Sequence, residues 1–170
     1  MQGLNFKQRL LTVKALVFDM DGVFTDGAIL LMDNGESGRL MNTRDGHAIQ
    51  QAVKNGLIVA IITGGHSESI RQRFRLFGVT DVYLRAHDKA DSLNDLLAAY
   101  TLDAEHVLYM GDDFPDLPVL TRVGVPTCPA NASRDVLDHC IYISPYKGGE
   151  GCVRDVIEQT LRVQGKWNVL

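Results

Sequence analysis

Short apolar runs recur along the chain at 15–18, 57–62, 82–84, 107–110, 124–127 and 140–143. They are mostly continuous rather than alternating with polar residues, which predicts strands covered on both faces. Between them lie amphipathic stretches at 46–54, 68–77, 90–99, 116–123 and 152–163, each of which predicts a helix. Strands that alternate with helices predict right-handed βαβ crossovers and a mostly parallel sheet. The expected fold class is therefore α/β, a Rossmann-like three-layer sandwich. In such sheets ligands bind beyond the carboxyl ends of the strands.

One segment interrupts the alternation. From 27 to 43 an apolar arm, Ala28-Ile29-Leu30-Leu31-Met32, runs into Asn34-Gly35 and continues as a more polar arm. Asn-Gly between two such arms predicts a β-hairpin, inserted directly after the first strand and too small to cover a pocket alone. Its continuous apolar arm needs cover on both faces, so pairing with other copies of the chain is expected. The 170 residues suit a single domain, 1–170, that ends in a short tail at 164–170.

Composition narrows the function classes. Hydrophobic residues make up 45% and charged residues 22%, which excludes a disordered chain. The net charge of -4 argues against a nucleic-acid surface. No apolar run reaches membrane-spanning length, and the first residues lack the pattern of a signal peptide, so a cytoplasmic protein is expected. Cys128, Cys140 and Cys152 are odd in number and far apart, which suggests neither a disulfide framework nor a CxxC metal site.

The chemistry gathers where predicted strands end. Asp19 and Asp21 follow the run at 15–18, and two like charges so close to a buried strand ionise together readily only beside a cation. Oxygen-only ligands point to magnesium. Thr63-Gly64-Gly65 follows the second run, where a hydroxyl and free amides can hold phosphoryl oxygens. Lys89 stands at the start of a predicted helix, a position that an anionic partner explains better than the helix dipole does. Gly111-Asp112-Asp113-Phe114-Pro115-Asp116 follows the run at 107–110. Each piece alone has an ordinary structural reading as a turn, a cap or a solvated charge. All of them at one edge of one sheet are a joint signal for phosphoryl chemistry.

In order and spacing these motifs resemble the haloacid dehalogenase superfamily: DxDG at 19–22, Thr63, Lys89 and GDDxxD at 111–116. The resemblance implies that Asp19 is the nucleophile and Asp21 the acid and base. It implies Mg2+ held by Asp19, the Asp21 carbonyl and Asp112, with Asp113 and Asp116 around the metal's waters and Lys89. Thr63, Gly64 and Lys89 would bind phosphate. The hairpin in place of a cap domain resembles the superfamily's capless group of sugar-acid phosphate phosphatases, as do Asn42-Thr43-Arg44-Asp45-Gly46, Arg73 and the segment 148–155. That group implies a homotetramer with shared active sites. It also implies 3-deoxy-D-manno-octulosonate 8-phosphate as substrate, in lipopolysaccharide precursor synthesis. Arg73, from a neighbouring subunit, and Arg44 are the expected partners of the substrate carboxylate. Many members have an arginine after Thr-Gly, where this chain has Gly65 and His66. The alternatives are a phosphatase for a nine-carbon sialic-type sugar acid 9-phosphate, a phospho-receiver and an inactive regulatory subunit.

Overall fold

The computed structural model describes residues 4–35 and 37–167. Six parallel strands form one sheet: β1 (Ala15–Phe18), β4 (Ile58–Ile62), β5 (Asp81–Tyr83), β6 (Val107–Met110), β7 (Val125–Cys128) and β8 (Tyr142–Ile143). Their spatial order is β5-β4-β1-β6-β7-β8. The chain therefore builds outward from β1 on one side, then returns to β1 and builds outward on the other. That reversal leaves a crevice at the carboxyl end of β1, between β4 and β6, where ligands bind in open α/β sheets.

The period of two along each central strand sorts side chains into two cores. Leu16 and Phe18 of β1, Val59 and Ile61 of β4, and Leu108 and Met110 of β6 face one layer. Ala15, Val17, Ala60, Ile62, Val107 and Tyr109 face the other. The first face is covered by α1 (Phe6–Leu10), α2 (Thr43–Lys54), α3 (Glu68–Arg75) and α7 (Cys152–Val163), through residues such as Leu10, Ile49, Phe74 and Ile157. The second is covered by α4 (Lys89–Tyr100), α5 (Leu117–Leu120) and α6 (Arg134–Leu137), through Leu93, Leu96, Leu120 and Val136. The sheet is buried on both faces, which explains why its strands read as continuous apolar runs.

The hairpin departs from expectation in extent. Its ladder is only β2 (Leu30–Leu31) against β3 (Ser37–Gly38), antiparallel and separate from the main sheet. Leu30, Leu31 and Leu40 are 67%, 82% and 86% exposed. Among the described residues the leucines of the hairpin are left largely uncovered, so the ladder ends where cross-strand partners and burial run out. Among the described residues, no helix is long and apolar enough to cross a membrane.

The glycine-rich segment before α7 locks the loop that follows β1. A Cβ at Gly148 would lie 1.9 Å from the Gly22 carbonyl oxygen and 2.7 Å from that of Thr25, both backbone atoms with no freedom to yield. We expect Gly148→Ala to destabilise the fold by about 3 kcal/mol and lower Tm by about 10 °C. Chemical and thermal denaturation check this, and an unchanged midpoint would contradict the close approach. The tail begins at the opposite, amino-terminal edge of the sheet, where Gln164 Nε2 donates to the carbonyls of Leu10 (3.0 Å) and Val13 (2.8 Å). Trp167 then turns back along α7, with the guanidinium groups of Arg154 and Arg162 5.8 and 5.9 Å from its ring. The described part of the tail thus lies on its own helix and away from the crevice, while 168–170 fall outside the described residues.

Candidate active site

Asp19 is the first residue beyond β1, and its amide donates to Met110 O (3.0 Å) at the end of the neighbouring β6. Its carboxylate is almost fully buried. Oδ1 accepts from the Met20 amide at 2.6 Å, and Oδ2 pairs with Lys89 Nζ at 2.8 Å. The chain then makes one tight turn, with the Phe24 amide on Met20 O (3.0 Å). The buried Thr25 hydroxyl accepts from the amides of Gly22 (3.2 Å) and Gly27 (3.1 Å), which fixes the loop that carries Asp21.

Lys89 opens α4 and is only 6% exposed. Its ammonium lies between Asp19 and Asp116, 2.8 Å from one and 2.7 Å from the other. Burial alone disfavours that charge, but the two carboxylates more than offset it and raise the Lys89 pKa above its ordinary value. The anionic partner that the sequence demanded is therefore a pair of side chains.

Asp116 organises the cluster. Its Oδ1 accepts from Lys89 Nζ (2.7 Å) and from the Tyr109 hydroxyl (2.6 Å), and its Oδ2 accepts from the amides of Asp112 (2.9 Å) and Asp113 (3.2 Å). Four donors occupy the two oxygens, so Asp116 is committed to holding Lys89 and the Asp112 loop. The buried Tyr109 phenol is pushed well up, by burial first and then by the nearby carboxylates, and stays a donor. Asp113 is exposed.

Asp112 lies against Gly22. A Cβ at Gly22 would come within 2.0 Å of Asp112 Oδ2, and Gly22 has φ +84°, so only glycine admits this approach next to Asp21. One oxygen each of Asp19, Asp112 and Asp116 falls within 4.8 Å of the others. Three carboxylates face a single ammonium. Burial first, then the neighbouring negative charges, push Asp19 up to about 6 and Asp112 up to about 7. A hard divalent cation relieves this excess charge, and the donor set is all oxygen, as Mg2+ requires. With Asp116 committed elsewhere, Asp19 and Asp112 are the carboxylates that fit the ion.

Both pKa values lie above the ordinary 3.8, so the stability these groups contribute is full below about pH 4 and lost as pH rises through about 6 to 7. We expect the metal-free protein to lose stability between about pH 5 and pH 8. Saturating Mg2+ should restore several degrees of Tm at about pH 8 and almost none at about pH 5. Melting curves with and without Mg2+ check this, and a gain independent of pH would contradict it.

Thr63 follows β4 and is buried, and its Oγ1 accepts from the Gly65 amide at 3.0 Å. Gly64 is exposed, with open space where a Cβ would stand, so packing within the chain does not require glycine there. Asp21 faces an unexpected partner. Arg39, just beyond β3, donates from Nε to Oδ1 (2.7 Å) and from Nη2 to Oδ2 (3.0 Å). The same Nη2 would lie 3.6 Å from a Cβ on Gly65, and Thr63 Oγ1 3.3 Å from it, so Thr63, Arg39 and Asp21 share one rim. Sequence reasoning missed Arg39 because it lies on no periodic element. The available signal was one arginine in the polar arm of a hairpin inserted beside two aspartates.

The expected carboxylate partners separate. Arg73 lines a cavity of about 440 Å3 between the hairpin and α3, together with Met20, Arg39, Met41, Ser69 and Ile70. Its guanidinium is 4.7 Å from the centre of the Phe77 ring. Arg44 is exposed and lines a different groove, with Arg154, Glu158 and Arg162. Within this chain Arg44 is not brought to the carboxylate cluster.

A buried lysine between two aspartates, with a third aspartate beside them, at the switch point of a parallel sheet is the arrangement of a phosphoryl-transfer hydrolase. The chain belongs to the haloacid dehalogenase-like hydrolase family. The family profile matches residues 74–156. The 3-deoxy-D-manno-octulosonate 8-phosphate phosphatase of Yersinia pestis is 36% identical over 159 residues, which cover 94% of this chain and 85% of that protein. Its crystal structure superposes with a TM-score of 0.93 at 35% identity, covering 95% of this chain and 87% of that one. The phosphatase of the same name from Moraxella catarrhalis, solved with a magnesium ion, a phosphate ion and a KDO molecule, gives a TM-score of 0.91 at 29% identity. That match covers 94% of this chain and 92% of that chain. The expected family and the α/β fold without a cap domain are both borne out.

Proposed function

We propose that this chain is a magnesium-dependent phosphomonoesterase that hydrolyses 3-deoxy-D-manno-octulosonate 8-phosphate. The observation that carries this reading is Lys89 held between Asp19 and Asp116, with Asp112 beside them at the sheet's switch point. The substrate is suggested by relatives that carry that activity in their names and cover most of this chain. The whole reaction is assigned to one domain, 1–170, acting in the cytoplasm in lipopolysaccharide precursor synthesis.

In this reading an Asp19 oxygen attacks phosphorus. The ester P–O bond breaks with its electron pair on the leaving oxygen, which takes a proton from Asp21 and departs as the sugar acid's alcohol. Water then attacks the aspartyl-phosphate and gives its proton to Asp21. The P–O bond to Asp19 breaks, which restores the carboxylate and releases inorganic phosphate. Lys89, the Thr63 hydroxyl and the Gly64 amide hold the phosphoryl oxygens and offset their growing charge. Asp19, Asp112 and the Asp21 carbonyl would hold Mg2+, which when bound would supply fixed positive charge beside the phosphoryl group, with Asp113 the candidate for holding the ion's waters.

The exposed Leu30, Leu31 and Leu40 support assembly through the hairpins, and we assign the chain to a homotetramer whose subunits share active sites. Arg73 is the candidate partner of the substrate carboxylate, in its own cavity or a neighbour's, and Arg44 can act only across a subunit boundary. The decisive experiment is kcat/KM over a panel of phosphorylated eight- and nine-carbon sugar acids, with and without Mg2+. A preference for the nine-carbon 9-phosphate would move the chain to the sialic-type reading. Retention of phosphate on the protein without release would make it a receiver. Arg73→Ala should raise KM for the sugar-acid phosphate about tenfold and leave that for an aryl phosphate nearly unchanged. Equal losses on both would remove its carboxylate role.

A further inference from the structure

Arg39 does more than border the site. Its Nε and Nη2 hold both oxygens of Asp21, at 2.7 and 3.0 Å, in the parallel two-bond arrangement that is strongest for a guanidinium and a carboxylate. Its remaining nitrogen, Nη1, donates to Ser37 Oγ at 3.3 Å in the same hairpin. The Arg39 side chain is 14% exposed and that of Asp21 30%, so the pair is partly shielded from water. The hydrogen bond to Asp21 raises the Arg39 pKa above its ordinary value, so the guanidinium is charged at any working pH.

An acid–base carboxylate must present one oxygen to the leaving group. In this geometry the parallel pair takes the inner lone pair of each Asp21 oxygen and leaves only the outer ones, the poorer proton sites of a carboxyl group, so opening the pair gives Asp21 its better position for proton transfer. Opening it towards a neutral group leaves a guanidinium and a carboxylate with water in place of a charged partner, which is unfavourable where the guanidinium is largely enclosed. Opening it towards a second carboxylate exchanges one bidentate pair for an equivalent one. Such a carboxylate has a place to arrive, because Arg39 also lines the cavity of about 440 Å3 whose other cation is Arg73. Gly65 borders the guanidinium, since a Cβ there would lie 3.6 Å from Arg39 Nη2, an ordinary contact distance.

We propose that Arg39 is a latch on Asp21: it holds the acid–base carboxylate in the conformation seen here, and a substrate carboxylate in the hairpin cavity draws the guanidinium away and frees Asp21. The release step rests on the sugar-acid reading of the site given above, whereas the latch itself rests on the ion pair. Selectivity for acidic sugars then appears in kcat as well as in KM, because only a carboxylated substrate arms its own proton donor. Arg39 is a positioning residue towards Asp21 and a binding residue towards substrate.

The test compares two primary alkyl phosphates, 3-deoxy-D-manno-octulosonate 8-phosphate and the carboxylate-free mannose 6-phosphate, in wild type, Arg39→Ala and Arg39→Lys, with melting curves to verify folding. Arg39→Ala should raise kcat on mannose 6-phosphate about tenfold and lower kcat/KM on the sugar-acid phosphate by about tenfold or more. Arg39→Lys keeps the charge but cannot grip two oxygens in parallel, so it should raise kcat on mannose 6-phosphate while retaining most of the KM for the acid. Equal losses on both substrates in Arg39→Ala, beside an intact wild-type preference for the acid, would overturn the latch. A wild type indifferent to the carboxylate would overturn the sugar-acid reading and the release step with it.

Discussion

Asp19→Asn is expected to lower kcat by at least about four orders of magnitude while the protein remains folded. An amide oxygen is a poor nucleophile. The substitution is nearly isosteric and removes a buried negative charge that burial and Asp116 already disfavour, pushing Asp19 up to about 6. In the absence of metal, the variant should therefore melt no lower than wild type above about pH 7, because the charge it lacks is destabilising there. The gain in Tm on adding Mg2+ should shrink sharply, since Asp19 is one of the two carboxylates free to hold the ion. Phosphate release and paired melting curves check both halves. Near-normal turnover would remove Asp19 from the chemistry, and an intact Mg2+ response would remove it from the metal.

Lys89→Met carries the second large effect, and its signature is in stability as much as in rate. The ammonium is the cation that faces Asp19 and Asp116 in the buried cluster, and Asp112 lies within reach of the same charge. Without it three carboxylates confront one another with no compensation, and the loss should be about 3 kcal/mol at neutral pH in the absence of metal. Burial and neighbouring charge already push Asp19 up to about 6 and Asp112 up to about 7, so the loss should be largest above about pH 7 and shrink by about pH 5, as protons replace the missing cation. kcat should fall about a thousandfold through lost stabilisation of the phosphoryl oxygens. Denaturation across pH and steady-state kinetics check this. A pH-independent stability loss would mean that Lys89 contributes by packing rather than by charge.

Much of this site is legible in the chain because its parts stand at the ends of apolar runs. A parallel sheet gathers its strands' carboxyl ends at one edge, so Asp19, Thr63 and Asp112 converge once their strands are recognised. Lys89 was readable from its misplaced charge at a helix start, and the structure supplies the reason in Asp19 and Asp116. Helix α7 coincides with its expected span because its apolar face is regular over three turns. Short elements escaped. Helix α1 has five residues and depends on the Asn5 cap, and α6 has four, so neither presents a period to detect. The stretch at 116–123 divides into a 3-10 turn (Phe114–Asp116) and α5, because Asp116 turns inward to Lys89 and Tyr109 and Pro118 opens the new helix. Arg39 left only its place in the polar arm of the hairpin as a signal, since its pairing with Asp21 joins a hairpin to a loop across space and leaves no trace in spacing.

The most direct test of the account is the covalent intermediate. Asp21→Asn removes the base that activates water while leaving Asp19 able to attack, so it should slow breakdown of the aspartyl-phosphate more than its formation from a substrate whose good leaving group needs no acid. Acid quenching of this variant during turnover of an aryl phosphate with Mg2+, followed by peptide mass mapping, should find one phosphoryl group on the peptide containing Asp19. The same treatment of Asp19→Asn should find none. A phosphoryl group on any other residue, or substrate consumption in Asp21→Asn with no phosphorylated protein at any quench time, would contradict the mechanism at its centre.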